Sequence, residues 1–198
     1  LPPVKFDWNG ISRLTMVACG TASLATHVAQ YWFEQLAKIP SSTDIASEFR
    51  YRDAVLMPGG LSLFVSQSGE TADTLAALRH ARSCGQAIAS VVNVAESSIA
   101  RESDSVFPTH AGPEIGVAST KAFMCQLGVL ASLAISAGVA RGTITREREI
   151  ELVRRLLEMP RLVGEALHQE AIVANIAQEL AKARDVLFIG RGLAYPIA

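Results

Sequence analysis

Six consecutive residues, Ser66-Gln67-Ser68-Gly69-Glu70-Thr71, bring three hydroxyls, a carboxamide, a carboxylate and a glycine into one short stretch. An apolar run of strand length, Leu61 to Val65, precedes them, and from Thr71 to Ser83 the residues Leu75, Leu78 and Arg79 recur at helical spacing. A strand, a tight turn and a helix in that order place the hydroxyls of Ser66, Ser68 and Thr71 where the unpaired N–H groups of a helix start converge. Gly69 would let a ligand approach the main chain. Such a turn suits a phosphate. The same residues also read as capping, with Ser68 as N-cap and Glu70 and Asp73 complementing the helix dipole. Glu70 opposes an anion unless its carboxylate points away.

A second turn, Cys19-Gly20-Thr21-Ala22-Ser23, follows the short apolar strand Leu14 to Ala18 and adds the hydroxyls of Thr21 and Ser23. Cys19 reads as a small buried thiol rather than a nucleophile. At the start of a long apolar helix, Gly116-Val117-Ala118-Ser119-Thr120-Lys121, a lysine in the first turn opposes the helix dipole and asks for an anion or a partner such as Glu114. Glu48 and Glu114 are loop-adjacent carboxylates able to act as bases, although Glu48 with Arg50 and Arg52 equally suits an ion-pair cluster. None of the four histidines pairs with another at metal spacing; His27, His80 and His168 sit among surface-like neighbours and His110 in a loop near the turns.

The elements that must position these groups alternate. Strands at Leu14–Ala18, Ser42–Ala46, Leu61–Val65, Gln86–Val92 and Asp104–Thr109 are separated by helices at Leu24–Leu36, Thr71–Ser83 and Ser97–Glu102, which predicts a parallel sheet with helices on both faces. Ligands in such sheets bind beyond the carboxyl ends of the strands, where both polar turns lie. A helix over Val117–Ala140 follows, with 18 uncharged residues from Phe123 onward. Its Ala, Ser and Gly content, Gln126 and its place after an α/β run favour a buried helix, with a possible subunit interface, over a membrane span. From Thr143 the pattern becomes charged and amphipathic. Pro160 is expected to break that helix, a second runs from about Arg161 to Arg184, and Val186–Ile189 reads as a fresh strand before Gly190-Arg191-Gly192.

Composition bounds the rest. With 198 residues, 49% hydrophobic and 19% charged, and a formal net charge of −1, the chain is an ordinary globular sequence with no basic excess for nucleic acid. Three widely spaced cysteines without a C-x-x-C pattern indicate neither a disulfide framework nor a zinc knuckle, so a reducing, cytoplasmic setting is expected. The start lacks an initiator Met and a signal peptide, and both ends read as cuts inside a longer chain.

Three motifs in order, Ala46-Ser47-Glu48-Phe49-Arg50-Tyr51-Arg52, Ser66 to Thr71, and Glu114-Ile115-Gly116-Val117-Ala118-Ser119-Thr120-Lys121-Ala122-Phe123, resemble one family. It is that of the glutamine:fructose-6-phosphate aminotransferases, or glucosamine-6-phosphate synthases, in the isomerase part built from sugar isomerase (SIS) domains. The resemblance implies a three-layer α/β/α sandwich with a parallel, flavodoxin-like sheet. Residues 1–142 would form a first SIS domain, 143–184 a helical connector, and 185–198 the first strand and turn of a second SIS domain. It implies that Ser66, Gln67, Ser68 and Thr71 hold the sugar phosphate, that Thr21 contributes to the same pocket, and that Val117 and Ser119 contact the sugar. Ala22 stands where bacterial members commonly carry a serine, so one hydroxyl contact is absent.

In that family a glutaminase domain releases ammonia, and two SIS domains convert fructose 6-phosphate to glucosamine 6-phosphate for UDP-GlcNAc synthesis, without metal or organic cofactor. The resemblance therefore implies a homodimer, a glutaminase domain and a second SIS domain in the same full-length chain, and no nucleic acid or membrane partner. The glutaminase cysteine would precede this segment, and the isomerising Glu, its neighbouring Lys, the ring-opening His and the Schiff-base Lys would follow Ala198. No catalytic residue is therefore assigned here, and no turnover is expected from the segment alone. Two other readings stay open: a two-SIS amino-sugar phosphate isomerase, deaminase or deglycase without glutaminase, and a non-catalytic sugar-phosphate sensor.

Overall fold

Five short runs of apolar and small residues pair side by side as parallel strands. In the computed structural model, which describes residues 1–116 and 119–198, these are β1 (Leu14–Ala18), β2 (Ser41–Ile45), β3 (Leu61–Ser66), β4 (Ala87–Val92) and β5 (Ser105–Pro108). Their order in the sheet is β2-β1-β3-β4-β5. β1 and β3 are buried along their whole length, as expected of central strands covered on both faces. Their register sets Ala18 beside Val65, so the turns that leave the two strands emerge together.

Each face of the sheet carries its own apolar cluster. On one, Leu14, Met16, Leu63 and Val65 meet Ala25, Ala29 and Phe33, and Leu130, Leu133 and Ala134. Those helical residues belong to α1 (Thr21–Trp32), prolonged by a π-helical turn at Phe33–Ala37, and to α5 (Lys121–Ala140). On the other face, Val17, Phe64, Ile88 and Val92 meet α2 (Ala46–Phe49), α3 (Ala72–Ser83) and α4 (Ser98–Arg101) through Phe49, Ala77, Leu78, Ala81 and Ile99. The result is the three-layer α/β/α sandwich expected from the sequence.

By length and composition α5 is apolar enough to cross a membrane. Its face of Ala122, Gln126, Leu130, Leu133 and Ala137 is instead buried within the sandwich. The helix begins at Lys121, later than expected, and the start placed at Val117 lies outside the described residues.

The chain divides into two compact units, Leu1–Thr145 and Arg146–Ala198. In the second, α6 (Arg146–Leu167) runs through Pro160 instead of stopping there. The proline removes one N–H from the ladder, but i,i+3 and i,i+4 ion pairs from Arg161 to Glu158 and Glu165 flank it on both sides. The break comes at His168 and Gln169, before α7 (Glu170–Leu180). Val186–Ile189 is not a strand: its side chains are exposed, and a strand without a neighbour forms no ladder.

Candidate functional site

The polar turns after β1 and β3 open into one cavity of about 240 Å³, lined by Cys19, Gly20, Thr21, Ala22, Val65, Ser66, Gln67, Ser68, Thr71, Ser119 and Gln126. It lies where β1 and β3, adjacent in space, send their chains to opposite sides of the sheet: to α1 on one face and α3 on the other. That divergence leaves a crevice at the carboxyl ends of the strands, the usual place for a ligand in an open parallel sheet.

The β3–α3 turn is held by its own hydroxyls. Ser66 Oγ accepts from the Gly69 N–H at 3.0 Å and lies 3.3 Å from Thr71 Oγ1, while Ser68 Oγ accepts from the Glu70 N–H at 3.2 Å. Ser68 is therefore not the N-cap of α3; Thr71 occupies that position and makes no side-chain cap. α1 likewise starts without a side-chain cap, because its N-cap residue, Gly20, has no side chain, and the nearby Ser23 Oγ donates to the Gly20 carbonyl. Two helix starts with no side-chain cap thus border the same cavity, and such starts present N–H donors suited to an oxyanion.

Gly69 is required by a close neighbour within the fold. At φ +66° it adopts a left-handed conformation, and a Cβ there would lie 1.9 Å from Ser97 Oγ and 2.4 Å from Ser97 Cβ. The close neighbour is Ser97, the N-cap residue of α4. Gly20, at φ +56°, has open space around its missing side chain, so there the backbone conformation alone favours glycine.

Glu70 points away from the cavity. Its Oε1 accepts from the Ser98 N–H at 2.7 Å, which satisfies a donor at the start of α4. The Ser98 backbone bond, followed by the Ser98 hydroxyl and the charge of Arg101, holds the carboxyl below the usual carboxylate range against a smaller opposing effect of desolvation. Glu114 is used in the same way, accepting from the Ala122 N–H at 3.0 Å in the first turn of α5. Lys121 and His110 are exposed and do not line the cavity. Glu48 joins no ion pair among the described residues: Arg50 bonds Asp73 and Arg52 bonds Asp44. His27 is half-buried, and burial lowers its pKa below the ordinary 6.5.

A scan against family models matches the SIS domain over residues 10–136. The chain belongs to the SIS domain family. The chain is similar in sequence to the glutamine–fructose-6-phosphate aminotransferase (isomerizing) of Bradyrhizobium diazoefficiens, 59% identical over 99% of this chain and 33% of that protein. The protein of the same name from Zymomonas mobilis is 57% identical over 100% of this chain and 33% of its own length. The chain thus spans about a third of the length of these curated relatives. Among solved structures, the C-terminal domain of glucosamine-fructose-6-phosphate aminotransferase from Francisella tularensis superposes with a TM-score of 0.93 at 41% identity, covering 96% of this chain and 54% of that one.

Of the residues expected from the sequence, the SIS fold brings together Thr21, Ser66, Gln67, Ser68, Thr71 and Ser119 around the cavity. Val117 lies outside the described residues. The cavity also includes Cys19, expected only as a small buried thiol of the turn, and Gln126, expected only as a residue of a buried helix. Cys19 is half-buried, and its Sγ accepts from Thr74 Oγ1 at 3.9 Å. Gln126 is 2% exposed, and its signal in the sequence is a lone carboxamide in an otherwise apolar helical stretch. No charged residue is among the cavity's lining residues.

Proposed function

We propose that the cavity between the β1 and β3 turns binds the phosphate of fructose 6-phosphate, and that the chain is part of the isomerase region of a glutamine–fructose-6-phosphate aminotransferase. The observation that carries this reading is the convergence of Thr21, Ser66, Ser68 and Thr71 with two helix starts that lack side-chain caps. Gln67 and Ser119 add polar groups to the same cavity, and Val117 together with Ser119 would contact the sugar. Names carried by relatives at 57–59% identity support the substrate.

Residues 1–142 then act as the first SIS domain, 143–184 as a helical connector, and 185–198 as the opening of a second SIS domain. Val186–Ile189 would become a strand when the rest of that domain supplies a neighbour. The full-length protein would carry a glutaminase domain, form a homodimer and reside in the cytoplasm.

The cavity's part in the reaction is positioning. Converting the ketose to glucosamine 6-phosphate requires a base that moves a proton between C1 and C2, within hydrogen-bond reach of those carbons. No Asp, Glu, His or Lys is among the lining residues, so the proton-transferring groups come from elsewhere in the full-length enzyme. What this domain supplies is binding energy on a non-reacting phosphate, which fixes the sugar and lowers the entropic part of the barrier.

Titration calorimetry of the 198-residue chain tests this reading with fructose 6-phosphate, glucose 6-phosphate and free fructose. Both phosphorylated sugars should bind, free fructose should not, and Ser66→Ala/Thr71→Ala should abolish binding while the protein stays folded. A folded wild type that binds neither phosphorylated sugar contradicts the reading, as does glucosamine 6-phosphate formation by this chain alone.

A further inference from the structure

Gln126 is the most buried polar side chain of α5 and lies on the cavity wall. Its Oε1 is enclosed and accepts no hydrogen bond among the described residues, and a flip of the side chain exchanges that oxygen with the amide nitrogen. A buried acceptor left unpaired destabilises the fold, whereas an apolar side chain of similar size in its place would not. The other buried residues of this helix are Ala, Leu, Ile and Gly, so the carboxamide departs from the packing rule at the point where the helix meets the cavity.

A ligand in the cavity can supply the missing partner once the carboxamide turns its oxygen toward it. A phosphate dianion offers only acceptors and leaves an amide oxygen unpaired. A sugar hydroxyl both donates and accepts, and it matches the carboxamide in either of its two orientations, which are nearly identical in shape. The groups suited to phosphate, Ser66, Ser68 and Thr71, come from the β3–α3 turn, whereas Gln126 and Ser119 come from the α5 side. We infer that Gln126 hydrogen-bonds a hydroxyl of the sugar and thereby separates sugar phosphates from inorganic phosphate. This rests on the phosphate reading above and assigns the opposite wall of the same cavity.

The test compares Gln126→Leu, and Gln126→Met as a more pliant replacement, with the wild-type chain. Fructose 6-phosphate and inorganic phosphate are titrated separately, and thermal denaturation is followed without ligand. The expected result is a loss of about tenfold in fructose 6-phosphate affinity, inorganic phosphate affinity within about twofold of wild type, and a melting temperature equal to or above it. Unchanged fructose 6-phosphate affinity in both variants overturns the assignment while leaving the phosphate reading intact. Equal losses for both ligands with a lowered melting temperature also overturn it, because they mark Gln126 as part of the scaffold. A folded wild type that binds neither ligand overturns the phosphate reading and this inference with it.

Discussion

Replacing Gly69 by alanine should damage the molecule for two separable reasons. The first is backbone strain: Gly69 sits at φ +66°, and an L-residue held in the left-handed region costs roughly 1–2 kcal/mol. The second is overlap, since the new Cβ would lie 1.9 Å from Ser97 Oγ, and relieving it by shifting the turn away from α4 disturbs two hydrogen bonds of Gly69. These are Gly69 N–H to Ser66 Oγ and Ile99 N–H to the Gly69 carbonyl, both 3.0 Å, together contributing about 1–3 kcal/mol. The expected destabilisation of Gly69→Ala is therefore roughly 2–5 kcal/mol. In a domain of this size that lowers the melting temperature by about 10 °C at the middle of the range. Ser97→Gly removes the overlapping side chain and, as an N-cap replacement by glycine, costs only a few tenths of a kcal/mol by itself. In the Ser97→Gly background, Gly69→Ala should retain only the strain, about 1–2 kcal/mol. Differential scanning calorimetry on the four proteins gives the coupling directly. An equal cost of Gly69→Ala in both backgrounds refutes the overlap argument, and a neutral Gly69→Ala refutes the turn geometry itself.

Three further outcomes follow from the site. Because the Glu70 carboxyl is held below its ordinary value of 4.5 by Ser98, the stability it contributes is present above that pH and is lost as pH falls through the lowered folded value. The melting-temperature difference between wild type and Glu70→Gln should therefore be constant near neutrality and shrink below pH 4.5. Ala22→Ser places a hydroxyl on the cavity wall and should tighten fructose 6-phosphate binding by roughly two- to twelvefold in calorimetry. With no cation among the lining residues, fructose 6-phosphate affinity should change less than about threefold between low and high salt, and should fall below about pH 6 as the phosphate takes up its second proton.

The fold was legible where burial imposes a pattern. β1 and β3 are uninterrupted apolar or small runs because both faces are covered, and each ends abruptly in hydroxyl-bearing residues, so strand, turn and helix can be read directly. The convergence of Thr21, Ser66, Ser68 and Thr71 could be anticipated because both turns lie at the carboxyl ends of strands, although their adjacency depends on the β1–β3 pairing. Contacts between distant segments were less accessible. The demand for glycine at position 69 comes from Ser97, and Glu70 is diverted by Ser98; nothing local to the turn reveals either partner. Pro160 read as a helix stop because local rules count its missing N–H but not the ion pairs around it. Val186–Ile189 has strand composition, but a ladder requires a neighbour as well as a propensity.

The most direct test of the account is the crystal structure of the chain soaked with fructose 6-phosphate. The phosphate should lie between the β1 and β3 turns, within hydrogen-bond distance of the Ser66, Ser68 and Thr71 hydroxyls. A phosphate found instead in the separate cleft of about 290 Å³ beside β2, lined by Arg13 and by the Arg52–Asp44 pair, would contradict the assignment of the site.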